Sequence, residues 1–262
     1  MRAFACALAA SAALWCGAAA ATPAPARVAS LNLCTDELLL MLAKPGQIAS
    51  VTHLSQSAAE SPLWRRARRH RRNDGSLLSV APFRPDLVIT MGGGGADRVG
   101  IARRLGVKLL DLPFAQSLAD VERSIATAAV ALGRQAQGRA LLMRMKALKR
   151  SAPRRNVDTV WLGGGGRSVA PTGLAADWMR LAGFRQRALP GERLSLEALL
   201  VRPPSLVLRS DYRGGQYSRE QTWLAHPLVK RPRTILTDGR RWTCMGPTMI
   251  DEVLRLRRAA RR

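Results

Sequence analysis

The sequence predicts an α/β fold of two lobes with mainly parallel sheets, bridged by a long, rigid α-helix, with a ligand cleft between the lobes. Three observations lead there. Short apolar and β-branched runs alternate with segments of helical spacing almost throughout, the pattern of parallel strands separated by crossover helices. One span, Ser117 to Arg150, interrupts that alternation with helical spacing alone. On each side of it a strand-like run stops at four consecutive glycines, first in "PDLVITMGGGG", ending at Gly95, then in "DTVWLGGGGR".

The chain opens with a segment outside the fold. Met1 and Arg2 give a short positive start, Ala3 to Ala20 is apolar and uncharged, and Ala19-Ala20-Ala21 supplies an A-x-A cleavage pattern before Thr22-Pro23. Residues 1–21 therefore read as a cleaved secretory signal peptide, the alternative being an uncleaved anchor. Cys16 raises a lipoprotein reading, but Trp15 before it is far larger than the small residue such sites carry. About 240 residues remain, enough for one large domain or two lobes with separate cores.

An N-terminal lobe is expected over 22–117, with strands at Arg27–Leu31, Ile48–Thr52, Leu87–Met91 and Val107–Leu110 and amphipathic stretches at Glu37–Ala43 and Ala96–Leu105. Within 118–152, Val121, Ile125, Ala128 and Leu132 keep helical spacing, and Leu141, Met145 and Leu148 resume it. Ser117 or Asp120 can cap the start, and Gly133 marks a break. The second helix, from about Leu132–Arg134 to Arg150, is the expected bridge. A C-terminal lobe over 153–262 has strands at Thr159–Leu162, Leu206–Arg209 and Thr234–Leu236, with helical stretches at Ala175–Ala182 and Leu196–Leu200. The competing layout is one seven-stranded doubly wound domain with an inserted helix pair.

Composition narrows the function. The formal charge is +24, carried mostly by arginine, which suits an anionic ligand or surface; export argues against nucleic acid. The densest run, "LWRRARRHRR" over Leu63–Arg72, reads first as a solvated helix face and second as a salt-sensitive dock for an anionic surface. Gly92–Gly95 lacks the Gly-Lys-Ser/Thr of a phosphate loop, and Asp97 and Arg98 break a dinucleotide fingerprint. The three histidines, His53, His70 and His226, have no metal-ligand spacing. No nucleophile–base set assembles, so the sequence argues for binding, not catalysis, with neither cofactor nor bare metal. Cys34 and Cys244, the thiols left after export, either pair if their Cα atoms approach within about 7 Å or stay as two buried apolar groups.

Several stretches together resemble one family. "RVASLNLCTDELLLMLAKPGQIASVTHLS", "FRPDLVIT", "LGVKLLDLP", "TGLAADWMRLAGF", "LSLEALLVRPPSLVL" and "WLAHPLVKRPRTILTDGRRWTCMGP" occur in the order found in periplasmic solute-binding proteins of the cobalamin and iron-siderophore ABC importers. The resemblance implies a periplasmic, monomeric binding component. It would hold a small-molecule metal chelate, a ferric siderophore or corrinoid, and deliver it to an ABC permease in the inner membrane. It also implies permease docking through Glu197; the matching N-terminal position is Leu78, with Asp74 the nearest acid. Alternatives are an exported binder of another anionic ligand such as haem, or an enzyme on the same fold.

Ligands of open α/β sheets bind outside the carboxyl ends of the strands. That rule selects Cys34, Thr35, His53, Leu54, Gly92, Gly93, Gly94 and Phe114 in one lobe. In the other it selects Gly164, Gly165, Arg167, Asp211, Tyr212, Arg213, Trp242 and Cys244. Arg167 and Arg213 can pair with carboxylates or catecholates of a chelate, and Tyr212 and Trp242 can stack on a flat ligand. The arginine content and the scarcity of aromatics tilt the expectation toward an anionic ferric chelate.

Overall fold

Two all-parallel sheets organise the chain. The computed structural model describes residues 23–92, 95–211, 226 and 232–261. The first sheet holds β1 (Val28–Ser30), β2 (Ile48–Thr52), β3 (Arg71–Asn73), β4 (Leu87–Met91) and β5 (Lys108–Leu112), in the order β3-β2-β1-β4-β5. The second holds β6 (Val157–Leu162), β7 (Phe184–Gln186), β8 (Leu206–Asp211) and β9 (Arg233–Asp238), in the order β7-β6-β8-β9. In both, the chain first winds one way from the opening strand and then returns to its other side. Each sheet therefore has a switch point, at β1/β4 and at β6/β8, where a crevice forms outside the strand ends.

The helices follow from local capping and apolar spacing. They are α1 (Leu33–Leu42), α2 (Trp64–Ala67), α3 (Leu77–Val80), α4 (Gly95–Arg104), α5 (Leu118–Ala131), α6 (Gln135–Arg150), α7 (Leu174–Ala182), α8 (Leu196–Val201), α9 (Gly239–Cys244) and α10 (Met249–Arg261). The Ser117 hydroxyl accepts from the Asp120 amide at 3.2 Å and starts α5. Gly133, at φ 65°, ends the α5 region, because a side chain is strained in that backbone region.

Helix α6 spans the lobes. At its amino end the Arg134 Nε–H donates to the Leu42 carbonyl (3.1 Å), and the Gln47 side chain donates to Leu132 O (3.0 Å). At its carboxyl end the Arg257 guanidinium donates to Leu148 O and to Ser151 Oγ, both at 2.9 Å.

Each sheet is covered on both faces, as an all-parallel sheet must be. In the first, Ala29, Leu31 and Val88 pack with Leu77, Val80 and Ala102 on one side. In the second, Val160, Leu162 and Val207 pack with Leu194 and Leu199. The other faces share one core: Val28, Leu39 and Ile125 are continuous with Trp178, Phe184, Met249 and Val253 across the lobe boundary.

The structure corrects four expectations. The run at Leu63–Arg72 is not a helix face: only Trp64–Ala67 is helical, and Arg71–Asn73 pairs with Ser50–Thr52 as an edge strand. Buried Asn73 fixes that strand, its amide donating to Ser30 O at 3.0 Å and Ser50 Oγ at 2.9 Å. Strand β7 lies where the sequence carries no strand signal; Gln186 anchors it by accepting from the Trp161 amide at 2.9 Å. Helix α1 begins four residues ahead of Glu37, because Asn32 caps the Cys34 amide at 2.8 Å. Helix α10 forms beyond the expected elements, its Met249, Ile250, Val253 and Leu256 at helical spacing and buried.

Candidate functional site

The carboxyl ends of the two sheets meet at a pair of adjoining cavities. One, of about 480 Å³, has walls from both lobes: Cys34, Leu38, Met91 and Phe114 on one side, Leu174 and Met245 on the other. The second, about 440 Å³, opens between Trp161, Gly163, Gly164, Arg167 and Trp242. Thr243 borders both.

The two glycine junctions reach this cleft in different ways. Gly92 ends β4 with φ 91°, and a Cβ there would lie 2.2 Å from the Phe114 ring. Glycine is thus required so that the exposed Phe114 ring can pack against the strand end. Gly163–Arg167 folds into a closed turn: the Gly163 amide donates to Arg167 O at 2.8 Å, and the Leu194 amide to Gly166 O at 2.9 Å. That turn leaves the Arg167 side chain exposed at the cavity wall.

Cys34 and Cys244 form a disulfide with a Cα–Cα distance of 5.2 Å. It joins α1 to the end of α9, so the bridge crosses between lobes in the cleft wall. Beside it, the Glu37 carboxylate accepts from the Thr248 amide at 2.9 Å. Burial pushes the Glu37 pKa up to about 7, against the opposing effects of the Thr248 amide and the Arg241 charge. Asp36 is likewise raised by burial, to about 6, although the Thr52 amide and hydroxyl donate to it.

Of the expected residues, Cys34, Phe114, Gly164, Arg167, Trp242 and Cys244 border the two cavities, and Gly92 sits under Phe114. Gly165 belongs to the same turn, one residue back from the wall. Thr35 is fully buried, its hydroxyl bonded to Ser30 Oγ (2.7 Å) and Asn32 O (3.0 Å), so it faces the core and not the cleft. His53 and Leu54 are exposed beyond β2 and line neither cavity. Asp211 closes β8; Gly93, Gly94, Tyr212 and Arg213 lie outside the described residues.

Trp242 is largely a core residue. Its indole N–H donates to Thr237 Oγ1 at 2.7 Å, and its ring tilts against Trp161 at 5.8 Å. Residues missed from sequence are Trp161, Met91 and the turn Met245–Pro247. Met91 and Trp161 sit near the ends of apolar strands, where nothing in the residue type separates wall from core.

Glu197 is exposed at the second position of α8, after the capping Ser195. Leu78 holds the same position in α3 after Ser76, and is 70% exposed. Asp74 instead accepts from the Ser76 amide at 2.8 Å, and the Ser76 and Ser79 hydrogen bonds hold its pKa down to about 2. Among the described residues, no group of three or more His, Cys, Asp or Glu is placed to hold a metal ion.

No protein-family model matches the chain, and no curated protein sequence does. Solved structures do. The periplasmic heme binding protein HutB of Vibrio cholerae aligns with a TM-score of 0.70 at 17% identity, over 89% of this chain and 98% of that one. The periplasmic heme-binding protein RhuT from Roseiflexus sp. RS-1, in apo form, gives 0.65 at 21% identity, over 89% and 98%. The periplasmic vitamin B12 binding protein BtuF of Vibrio cholerae gives 0.64 at 16% identity, over 89% and 96%. The chain has the two-lobed α/β fold of these proteins.

Proposed function

We propose that this chain is the periplasmic substrate-binding component of an ABC importer, holding a metal chelate between its lobes and handing it to an inner-membrane permease. One observation carries the reading: two adjoining cavities lie outside the carboxyl ends of two all-parallel sheets, the larger with walls from both lobes and the second beside the β6/β8 switch point. That is where open α/β folds take small ligands. The structures it resembles are described as binding heme or vitamin B12, which supports the same class of cargo. Exposed Glu197 supports permease docking by one lobe; the other presents Leu78 at the equivalent position.

The walls refine the ligand. Leu38, Met91, Phe114, Leu174 and Met245 make the larger cavity mainly apolar, and Arg167 adds a cation at the edge of the second. This combination favours a chelate with an apolar face and peripheral carboxylates, haem above all, over the hydrophilic ferric siderophore that the arginine content suggested. A carboxylate-rich ferric siderophore is the second reading, favoured by Arg167.

The test is a thermal-shift panel of haem, cobalamins, ferric siderophores and ferric citrate on the mature protein. A specific ligand raises the melting temperature as its concentration passes its dissociation constant. Arg167→Ala is expected to weaken the responding ligand by about one to two decades, as for a lost charge-assisted hydrogen bond. If no chelate in the panel shifts the melting temperature, the importer reading fails.

A further inference from the structure

At the opposite, amino edge of the first sheet lies a hollow larger than either cleft cavity, about 720 Å³. Arg27, Arg66, Arg69, Arg71 and Arg84 line it, with Phe83 and other apolar groups between them. They come from separated segments: Arg27 precedes β1, Arg66 lies on α2, Arg69 follows it, Arg71 opens β3, and Arg84 precedes β4. No aspartate or glutamate lines the hollow. Among the described residues, none of these five guanidiniums has a carboxylate partner, whereas Arg187, Arg240 and Arg255 do elsewhere. The nearby Asp86 directs its oxygens to the Ala26 and Arg27 amides, at 2.7 and 3.0 Å.

Five like charges around one concavity repel each other, and no acidic side chain in the lining offsets them. It also holds Arg84 in the left-handed region at φ 46°, where glycine would sit with less strain. Arg71 lies 5.5 Å from the centroid of Phe83, so part of the wall is already ordered. His70 borders the same space, and its pKa is lowered, first by burial and then by the Arg66 and Arg69 charges. Guanidiniums match phosphate oxygens bidentately. A single carboxylate offsets one of five charges, whereas a diphosphate carries about three.

We propose that this hollow is a second binding site, separate from the interlobe cleft, for a diphosphate-class polyanion, either free or displayed on a lipid headgroup. It sits at the edge of the sheet away from the cleft, so it can fill while the cleft is occupied.

The test is calorimetric titration of the protein with inorganic pyrophosphate at constant ionic strength. Alongside it runs sedimentation with phosphatidylcholine vesicles, with and without a diacylglycerol diphosphate. Arg69→Glu/Arg71→Glu is compared with Arg139→Glu/Lys146→Glu on α6, which changes the net charge equally. Arg84→Gly removes one cation while relaxing the backbone, so weakened binding there does not arise from unfolding. One-to-one binding is expected, weakened about tenfold or more by the first double variant, less by Arg84→Gly, and little by the α6 pair. Pyrophosphate binding without vesicle binding assigns a free anion; sedimentation that depends on the diphosphate lipid, with the same variant pattern, assigns a headgroup. Equal weakening by both double variants, no effect of Arg84→Gly, or no saturable binding of either probe overturns the site.

Discussion

Glu37 grows from the N-terminal lobe, yet its carboxylate is buried against the C-terminal one. It accepts from the Thr248 amide at 2.9 Å, and a Cβ on Gly246 would lie 2.6 Å from its Oε1. Gly246 is therefore glycine for lack of room. Burial raises the Glu37 pKa from 4.5 to about 7. Between those values the folded chain keeps a proton that the unfolded chain has lost, so stability falls as pH rises from about 4.5 to 7. At about 1.36 kcal/mol per unit the contribution is on the order of 3 kcal/mol. Asp36, raised to about 6, acts in the same direction. Glu37→Gln keeps an acceptor for Thr248 and removes the ionisation. Urea midpoints of the variant are expected to decline less over that range than those of the parent; parallel curves would exclude Glu37 as the titrating group.

Two helical glycines separate propensity from packing. Gly138 lies in α6 where it crosses α5, and a Cβ there would stand 2.4 Å from the Ala129 Cβ. Gly100, in α4, would meet nothing within 4 Å. Alanine gains about 1 kcal/mol over glycine in a helix interior. Gly100→Ala is therefore expected to stabilise by about 0.5–1 kcal/mol. At Gly138 the Ala129 methyl cannot swing aside, and overpacking costs about 1–3 kcal/mol, so Gly138→Ala is expected to lower stability. Chemical denaturation of both variants checks the opposite signs. The same contrast explains how much was readable at this scale. The apolar spacing of α5 and α6 and the stop at Gly133 were legible, but the closeness of their crossing was not, because it depends on which faces meet.

Across the whole molecule, helix α6, the shared apolar core and the Cys34–Cys244 disulfide tie the lobes, beside hydrogen bonds such as Glu37 to the Thr248 amide. The disulfide closes a loop with a sequence separation of 210 residues. In the chain-entropy model such a loop stabilises the fold by about 5 kcal/mol, and loss of native disulfides commonly costs about 2–5 kcal/mol. Reduction, or Cys244→Ser, is expected to lower the thermal and urea midpoints markedly. Non-reducing peptide mapping is expected to yield the two cysteine peptides joined. Two alkylated thiols under non-reducing conditions, or midpoints indifferent to reductant, would contradict the bridge.

The sequence by itself determined the alternation of strands and helices, the helical span between two strand-rich halves, and the placing of glycine junctions at strand ends. These are properties of residues near one another along the chain, where spacing and capping suffice. Tertiary structure decided the rest. Strands β3 and β7 carry little apolar signal and exist because buried Asn73 and Gln186 bond to neighbouring strands. Thr35 and Cys34 are adjacent in sequence, yet one faces the core and the other the cleft, since consecutive helical positions point about 100° apart. The pairing of Cys34 with Cys244 and the gathering of five arginines into one hollow both need chain segments brought together from far apart, which no local pattern records.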